Sequence, residues 1–336
     1  MTGAQRTGSG TAPRAAPAST ANSAVLGDRE ADLRRELVPI FPFAAHTFAR
    51  TYGHGVANVH FVDEGQRTDE AVLFLHGNPT WSFAWRACIA ALRGTHRCVA
   101  PDMVGCGLSD KPQDFDYTLS EHVATVERLR EHLGLTRIHL VLHDWGGAIG
   151  MGFARRHPER IASITALNTA AFLGGRLPRR IALCRLPVVG EFAMRRFGAF
   201  ERAAIAMAVV RAPRLYGLVA RGYTGPYHDH ASRIAVARFV QDIPLAPGDR
   251  AYGELAATEA ALTQFASTPM QLIWGERDFC FTPRFRAQWQ RHFPAARVHA
   301  IPDAGHYVFE DASAEVVDVL TRFLTDVSRG GASARG

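Results

Sequence analysis

The chain has 336 residues, 47% of them hydrophobic and 21% charged, and a formal net charge of +6. That length fits one large α/β unit carrying an inserted subdomain, and no run of about 18 apolar residues exists to span a bilayer. The positive charge comes almost wholly from arginine and is spread along the chain, with neither a lysine-rich tail nor a recognisable nucleic-acid module, so no nucleic-acid partner is expected.

Residues 1–27 are small, polar and rich in Gly, Ala, Pro, Ser and Thr, which predicts a disordered N-terminal tail. Without a continuous apolar h-region, no secretory leader is expected. From about residue 56 a strand-then-helix pattern repeats. The predicted strands are VANVHFV (56–62), AVLFLHG (71–77), HRCVAPD (96–102), RIHLVLH (137–143), RIASITALN (160–168), PMQLIWG (269–275) and ARVHAIP (296–302). Most are apolar on both faces, as central parallel strands are. Stretches such as FAWRACIAALRG, LSEHVATVERLREHLG and GGAIGMGFARRHPER carry apolar residues at helical spacing, the last predicting a helix over 146–157. The alternation predicts an α/β fold: a mostly parallel central sheet with helices on both faces, built from residues 28–168 and 263–328. Between them, residues 169–262 show no convincing strand and are cut by prolines at 178, 187, 213, 226, 244 and 247. A helical cap over the carboxyl ends of the strands is expected there, where open α/β sheets bind ligands.

The strand ends carry HGNPTW (76–81), HDWGG (143–147), GERDF (275–279) and DAGHYVFED (303–311). This is the α/β-hydrolase order of oxyanion loop, nucleophile elbow, acid and histidine. The elbow holds Asp144, with Gly146 as its small neighbour at plus two, although Leu142 stands where esterases usually carry glycine. Taken alone, Asp144 also reads as a helix N-cap. A carboxylate attacking an ester carbonyl yields a labile anhydride, whereas attack on an sp3 carbon displaces a leaving group and leaves an ordinary ester. Asp144 therefore points to alkyl transfer. The carbonyl oxygen of such an ester is expected between the backbone amides of Trp145 and Asn78, whose side-chain N–H groups suit an anionic leaving group. His306, in the loop after the last strand, is expected to activate water or move a proton. Its orienting acid is Asp278 by preference, with Glu276 the weaker choice, because Asn168 and Thr169 at the alternative position cannot ionise. Five cysteines (Cys88, Cys98, Cys106, Cys184 and Cys280) contain no C-x-x-C pair, so neither a disulfide framework nor a zinc site is suggested, and a reducing, cytoplasmic setting is expected.

HGNPTW, PDMVGCGLSDKP (101–112), HDWGG and DAGH together resemble the haloalkane dehalogenase family from about residue 40 to residue 327. The resemblance implies Asp144 as nucleophile, His306 as base, Asp278 as acid, and Asn78 with Trp145 as the halide-binding pair. The insertion lacks tryptophan, unlike the subgroup with a second cap tryptophan, and Asn78 plus Asp278 resembles the third subgroup. Within it, RIAVARFVQDIPLAPGD (233–249), WGERDFCF (274–281) and DAGHYVFEDA (303–312) resemble the β-lactone decarboxylases of bacterial long-chain olefin biosynthesis. VQDIPL is the most telling piece, lying where generic hydrolase motifs have ended. The resemblance implies conversion of a cis-3,4-dialkyl oxetan-2-one to a cis alkene and carbon dioxide, without cofactor or metal. It also implies an assembly with a β-lactone synthetase and a 2-alkyl-3-hydroxyacid dehydrogenase. A true haloalkane dehalogenase, sharing every residue named, stands as the alternative. An epoxide hydrolase, which usually has HGFP and paired cap tyrosines, fits less well, although Tyr216, Tyr223, Tyr227 and Tyr252 keep it in view. A non-catalytic scaffold usually loses a triad position, and all are filled here. The segment VVGEFAMRRFGAFERAAIAMAVVRAPRLYG (188–217) reads as an amphipathic roof over long alkyl chains, or as plain helix packing with a basic outer face. Contact with a membrane surface through its arginines is a further expectation.

Overall fold

The computed structural model describes residues 26–53, 55–174, 178–186 and 189–333. The tail expected over 1–27 therefore lies almost wholly outside the described residues. Eight strands form one sheet: β1 (His46–Tyr52), β2 (Gly55–Glu64), β3 (Glu70–Leu75), β4 (Cys98–Pro101), β5 (Arg137–Asp144), β6 (Ile161–Thr169), β7 (Met270–Gly275) and β8 (Arg297–Ile301). Their order is β1-β2-β4-β3-β5-β6-β7-β8. From β4 through β8 every neighbour is parallel, while β1 and β2 form an antiparallel edge, and β2 also meets β4 antiparallel. The segment read as VANVHFV is thus an antiparallel strand, and β1 had no sequence signal strong enough to predict it. HTFARTY alternates buried Phe48 and Arg50 with exposed neighbours, and a half-buried hairpin strand carries fewer apolar residues than a central one.

The helices are α1 (Asp28–Leu37), α2 (Arg86–Leu92), α3 (Leu119–Leu133), α4 (Trp145–Arg156), α5 (Arg179–Cys184), α6 (Val189–Phe197), α7 (Ala199–Met207), α8 (Gly217–Thr224), α9 (Ile234–Gln241), α10 (Tyr252–Ala260), α11 (Pro283–His292), α12 (Val308–Asp311) and α13 (Ser313–Ser333). The stretch beginning FAW opens as a 3-10 turn, Ser82–Trp85, and only then becomes α2. Helix α3 starts where Thr118 accepts a hydrogen bond from the Glu121 amide at 3.3 Å, and ends at Gly134, whose φ of 65° is the left-handed cap conformation glycine adopts freely. Helix α4 begins at Trp145, one residue earlier than its sequence pattern indicates, because the elbow turn is completed by Asp144 itself.

Burial explains the layering. In β5, Leu140 and Leu142 pack with Val123, Ile149 and Phe153 on one face, while Val141 packs with Trp85, Ile89 and Leu320 on the other. Successive side chains leave a strand on opposite faces, so a strand apolar at every position demands helices on both sides. Between β6 and β7 the described chain forms only helices, α5 to α10 followed by a short 3-10 turn, and their side chains close over the carboxyl ends of the strands. No helix of the described residues is long and apolar enough to cross a membrane.

Candidate active site

Asp144 ends β5 with φ 51° and ψ −123°, a conformation that L-residues rarely adopt and that the surroundings must enforce. Part of that enforcement comes from Thr169, whose Oγ1 donates to the Asp144 carbonyl at 2.5 Å. Gly146 supplies the rest: a Cβ there would stand 2.1 Å from the Leu75 carbonyl oxygen. The absent glycine at Leu142 is also accounted for, since Gly150 on the facing helix leaves the space that the Leu142 side chain fills, at 2.3 Å from where its own Cβ would be.

The Asp144 carboxyl is held on two sides. Oδ1 accepts the Asn78 amide at 2.7 Å, and the Trp145 amide also donates to the carboxyl. Oδ2 faces His306 Nε2 at 3.7 Å, too far for a direct hydrogen bond. Across the ring, His306 Nδ1 lies 2.8 Å from Asp278 Oδ2. Burial raises the Asp144 carboxyl above its ordinary value, against the opposing pull of His306 and the two amides. Burial also pushes the His306 imidazole down, but Asp278 and then Asp144 outweigh it, and the net direction is up. The imidazole is sandwiched by aromatic neighbours, stacked on Phe281 with centroids 5.8 Å apart and against His143 at 4.6 Å. His143 points Nε2 to the His306 carbonyl oxygen at 2.9 Å, and burial holds this second imidazole well below its usual value.

Asp278 and Glu276 part company in the fold. Asp278 is buried, accepting on Oδ1 from the Cys280 amide at 2.6 Å and on Oδ2 from Asn168 Nδ2 at 2.9 Å in addition to its contact with His306. Glu276 instead pairs with Arg286 at 2.8 Å, away from the imidazole. Asn168 was passed over in the sequence as unable to ionise, yet it sits at the centre of this arrangement. With φ 37°, it turns its carboxamide to accept from the Gly275 amide at 2.8 Å while donating to Asp278, tying the ends of β6 and β7 together. The available signal was asparagine itself, the residue besides glycine that tolerates positive φ at a strand end. Cys280 was also missed: it lines the cavity, and desolvation with the nearby Asp278 and Asp144 raises its thiol well above the ordinary value, which disfavours a thiolate there.

Helix α9 braces the other pair. Asn78 Nδ2 donates to the Val236 carbonyl at 3.0 Å, leaving one N–H of the carboxamide for a ligand, and the Trp145 ring packs on Phe239 at 5.4 Å. Trp145 lines the cavity beside Asn78 and Asp144. A cavity of about 580 Å³ opens over Asp144, and apart from Asp144, His306 and Arg180 its described lining carries no charge. Met194, Phe200 and Met207 face it from the inserted helices, whereas Phe192 and Phe197 point outward. VQDIPL divides its labour: Val240, Ile243, Pro244 and Leu245 line the cavity, Gln241 donates to Glu191 at 2.9 Å, and Asp242 accepts from the Leu119 amide at 2.8 Å at the start of α3. None of Tyr216, Tyr223, Tyr227 and Tyr252 lines the cavity. Tyr223 donates instead to Glu310 at 2.5 Å, so the tyrosine pair of an epoxide hydrolase is not at this site.

A mostly parallel sheet with an elbow at the end of β5, an acid after β7 and a histidine after β8 defines an α/β-hydrolase, here with a carboxylate at the elbow. The model of the alpha/beta hydrolase fold family matches residues 70–313. A cis-3-alkyl-4-alkyloxetan-2-one decarboxylase from Shewanella oneidensis is 43% identical over 85% of this chain and 90% of its own length. Haloalkane dehalogenase 2 of Mycobacterium bovis is 31% identical over 84% of this chain and 96% of its own. The crystal structure of the haloalkane dehalogenase DatA from Agrobacterium tumefaciens C58 superposes with a TM-score of 0.74 at 26% identity, covering 84% of this chain and 97% of that one. The chain belongs to the α/β-hydrolase fold family, in the branch that holds these decarboxylases and dehalogenases.

Proposed function

We propose that this chain is a β-lactone decarboxylase, converting a cis-3-alkyl-4-alkyloxetan-2-one into a cis alkene and carbon dioxide, with Asp144 as nucleophile. The observation that carries the reading is the 43% identity to a decarboxylase of that name across most of both chains, against 31% for a dehalogenase. The site chemistry supports it. Asp144 attacks the sp3 ring carbon bearing the ring oxygen, the carbon–oxygen bond breaks, and an ester to the enzyme forms with inversion while a carboxylate is released on the neighbouring carbon. Loss of carbon dioxide anti to that ester turns the carbon–carboxylate bond into the alkene and expels Asp144 as carboxylate. Inversion followed by anti elimination equals net syn loss, so a cis lactone gives a cis alkene. No water is consumed and no net proton moves.

The departing carboxylate takes the place of a halide between the Trp145 indole N–H and the remaining Asn78 N–H, while the Asn78 and Trp145 amides hold the ester carbonyl. His306, its charge favoured by Asp278, faces the reacting carboxyl and offsets the growing negative charge. Residues 169–262 act as the cap, residues 28–168 and 263–328 as the catalytic core, and the largely apolar cavity accepts the alkyl chains. We further propose that the chain works in the cytoplasm beside a β-lactone synthetase and a 2-alkyl-3-hydroxyacid dehydrogenase, which co-purification tests.

Incubation with a cis β-lactone and, separately, with a bromoalkane separates the two readings. Alkene is expected by gas chromatography from the first. Bromide release without alkene would overturn the proposal in favour of a dehalogenase. Mass spectrometry of quenched reactions, with His306→Ala to slow breakdown, should find the adduct on Asp144. Near-normal turnover by Asp144→Ala would exclude covalent catalysis through this residue.

A further inference from the structure

We propose that the outer face of α5, α6 and α7 docks on an anionic lipid bilayer, and that the cavity is loaded with its substrate from that bilayer. The inference rests on reading the substrate as a lipid-like lactone. Three observations meet on this face. Leu183, Leu186, Phe192 and Phe197 are exposed there, with Leu183 at 65%, Phe192 at 56% and Phe197 at 58%. Such a cluster of large apolar side chains in water signals a contact surface.

Charge supplies the second. Over residues 178–207 the only acids are Glu191 and Glu201, and both are committed within the fold: Glu191 to Arg195 at 2.9 Å, and Glu201, buried, to Arg233 at 2.6 Å. Arg185 is likewise committed to Asp249 at 2.9 Å. Arg179, Arg180, Arg196 and Arg202 are exposed and, among the described residues, meet no acidic partner. Four guanidinium groups set among exposed phenylalanine and leucine match the chemistry of an anionic headgroup layer over hydrocarbon.

The mouth of the cavity is the third. Leu183, Leu245 and Phe279 are each exposed and also line the cavity, so the opening lies at the edge of this same face. A protein partner would also accept arginine and phenylalanine, but a largely apolar cavity opening beside them gives an apolar substrate a route that never crosses water.

Vesicles of phosphatidylglycerol and phosphatidylcholine, compared with phosphatidylcholine alone, test this with the full chain in a sedimentation assay. Binding to the anionic vesicles at low salt, lost at high salt, is expected. Arg179→Gln, Arg196→Gln and Arg202→Gln should each weaken it about fivefold, and Phe192→Ser with Phe197→Ser together about tenfold. None of these five residues lines the cavity. Turnover of a short-chain lactone in solution should therefore stay at the wild-type rate, while turnover of a long-chain lactone held in anionic vesicles falls. Absence of anionic-vesicle binding at low salt, undiminished binding by the variants, or equal loss on the soluble substrate would overturn the proposal. Association with a protein in place of vesicles, blocked by the same variants, would overturn it in favour of a protein interface. Vesicle binding with alkene from neither substrate would overturn the lactone reading alone.

Discussion

At the scale of single residues, the site is a set of compensated burials. Asp144 is buried against two amides and an imidazole, and its carboxyl titrates above the ordinary range because burial outweighs what those partners supply. Decarboxylation as proposed needs Asp144 ionised and His306 charged, so kcat/KM for the lactone should fall on the acid side at a pH above that of an ordinary carboxylate, and again on the alkaline side above the usual imidazole range. Hydrolysis would require neutral His306, whose value is raised, and a rate climbing through a pH above the usual imidazole range would mark that route instead. Asn168 offers a separate check. It touches no reacting atom but holds the Asp278 oxygen that faces His306. Asn168→Ala should lower kcat by about tenfold with KM little changed, the size of effect expected when an orienting hydrogen bond is lost. Retention of full kcat would show that Gly275 and Cys280 suffice to place the acid.

At the scale of elements, α9 links the inserted helices to the chemistry. Its Val236 carbonyl orients Asn78, and Phe239 backs Trp145. Truncating Phe239→Ala removes a buried ring, which costs about 3–5 kcal/mol in a packed core, and should raise KM for any anion-releasing substrate along with lowering Tm. The end of the same helix carries Asp242, whose carboxylate caps the first turn of α3. Burial pushes this carboxyl up to about 6, because the Leu119 amide and the facing Arg250 and Arg185 only partly offset desolvation and the nearby Asp116 opposes them. A carboxyl raised in the folded state binds more protons there than in the unfolded chain. Its contribution is therefore most favourable below the unfolded value and declines as pH rises to about 6. Asp242→Asn keeps the accepting oxygen and removes the charge, so thermal unfolding should show it more stable by about 1–2 kcal/mol at pH above 7 and little different from wild type near pH 4.

At the scale of the whole molecule, the roof and the sheet together set what can react. The reacting carboxyl lies at the base of a cavity of about 580 Å³ whose described walls are almost wholly uncharged, so chain length is selected by volume and apolar contact. Filling that space with Ala203→Trp, a position on α7 that lines it, should lower kcat/KM for long-chain lactones by about tenfold or more while sparing short-chain ones. Equal losses for both chain lengths would place the alkyl chains elsewhere.

The strand-and-helix alternation, the order of the four loops and the places of Asp144 and His306 were all legible in the linear sequence. Each is a local matter of periodicity or of a residue type that only certain chemistry tolerates at a strand end. Helical content between β6 and β7 was legible for the same reason. β1 was not, since a half-buried edge strand draws its stability from its partner β2. Nor was the choice of Asp278 over Glu276 settled before the fold showed one facing His306 and the other facing Arg286. Asn168, Thr169 and the bracing by α9 belong to the tertiary structure alone: residues up to 158 positions apart meet there, and no local pattern records which side chain will stand opposite. The sequence by itself determined that a carboxylate would stand at the elbow of an α/β sheet. Only the packing of β6, β7 and α9 around it decided how that carboxylate is held, because its charge and geometry are set by neighbours brought in from the rest of the chain.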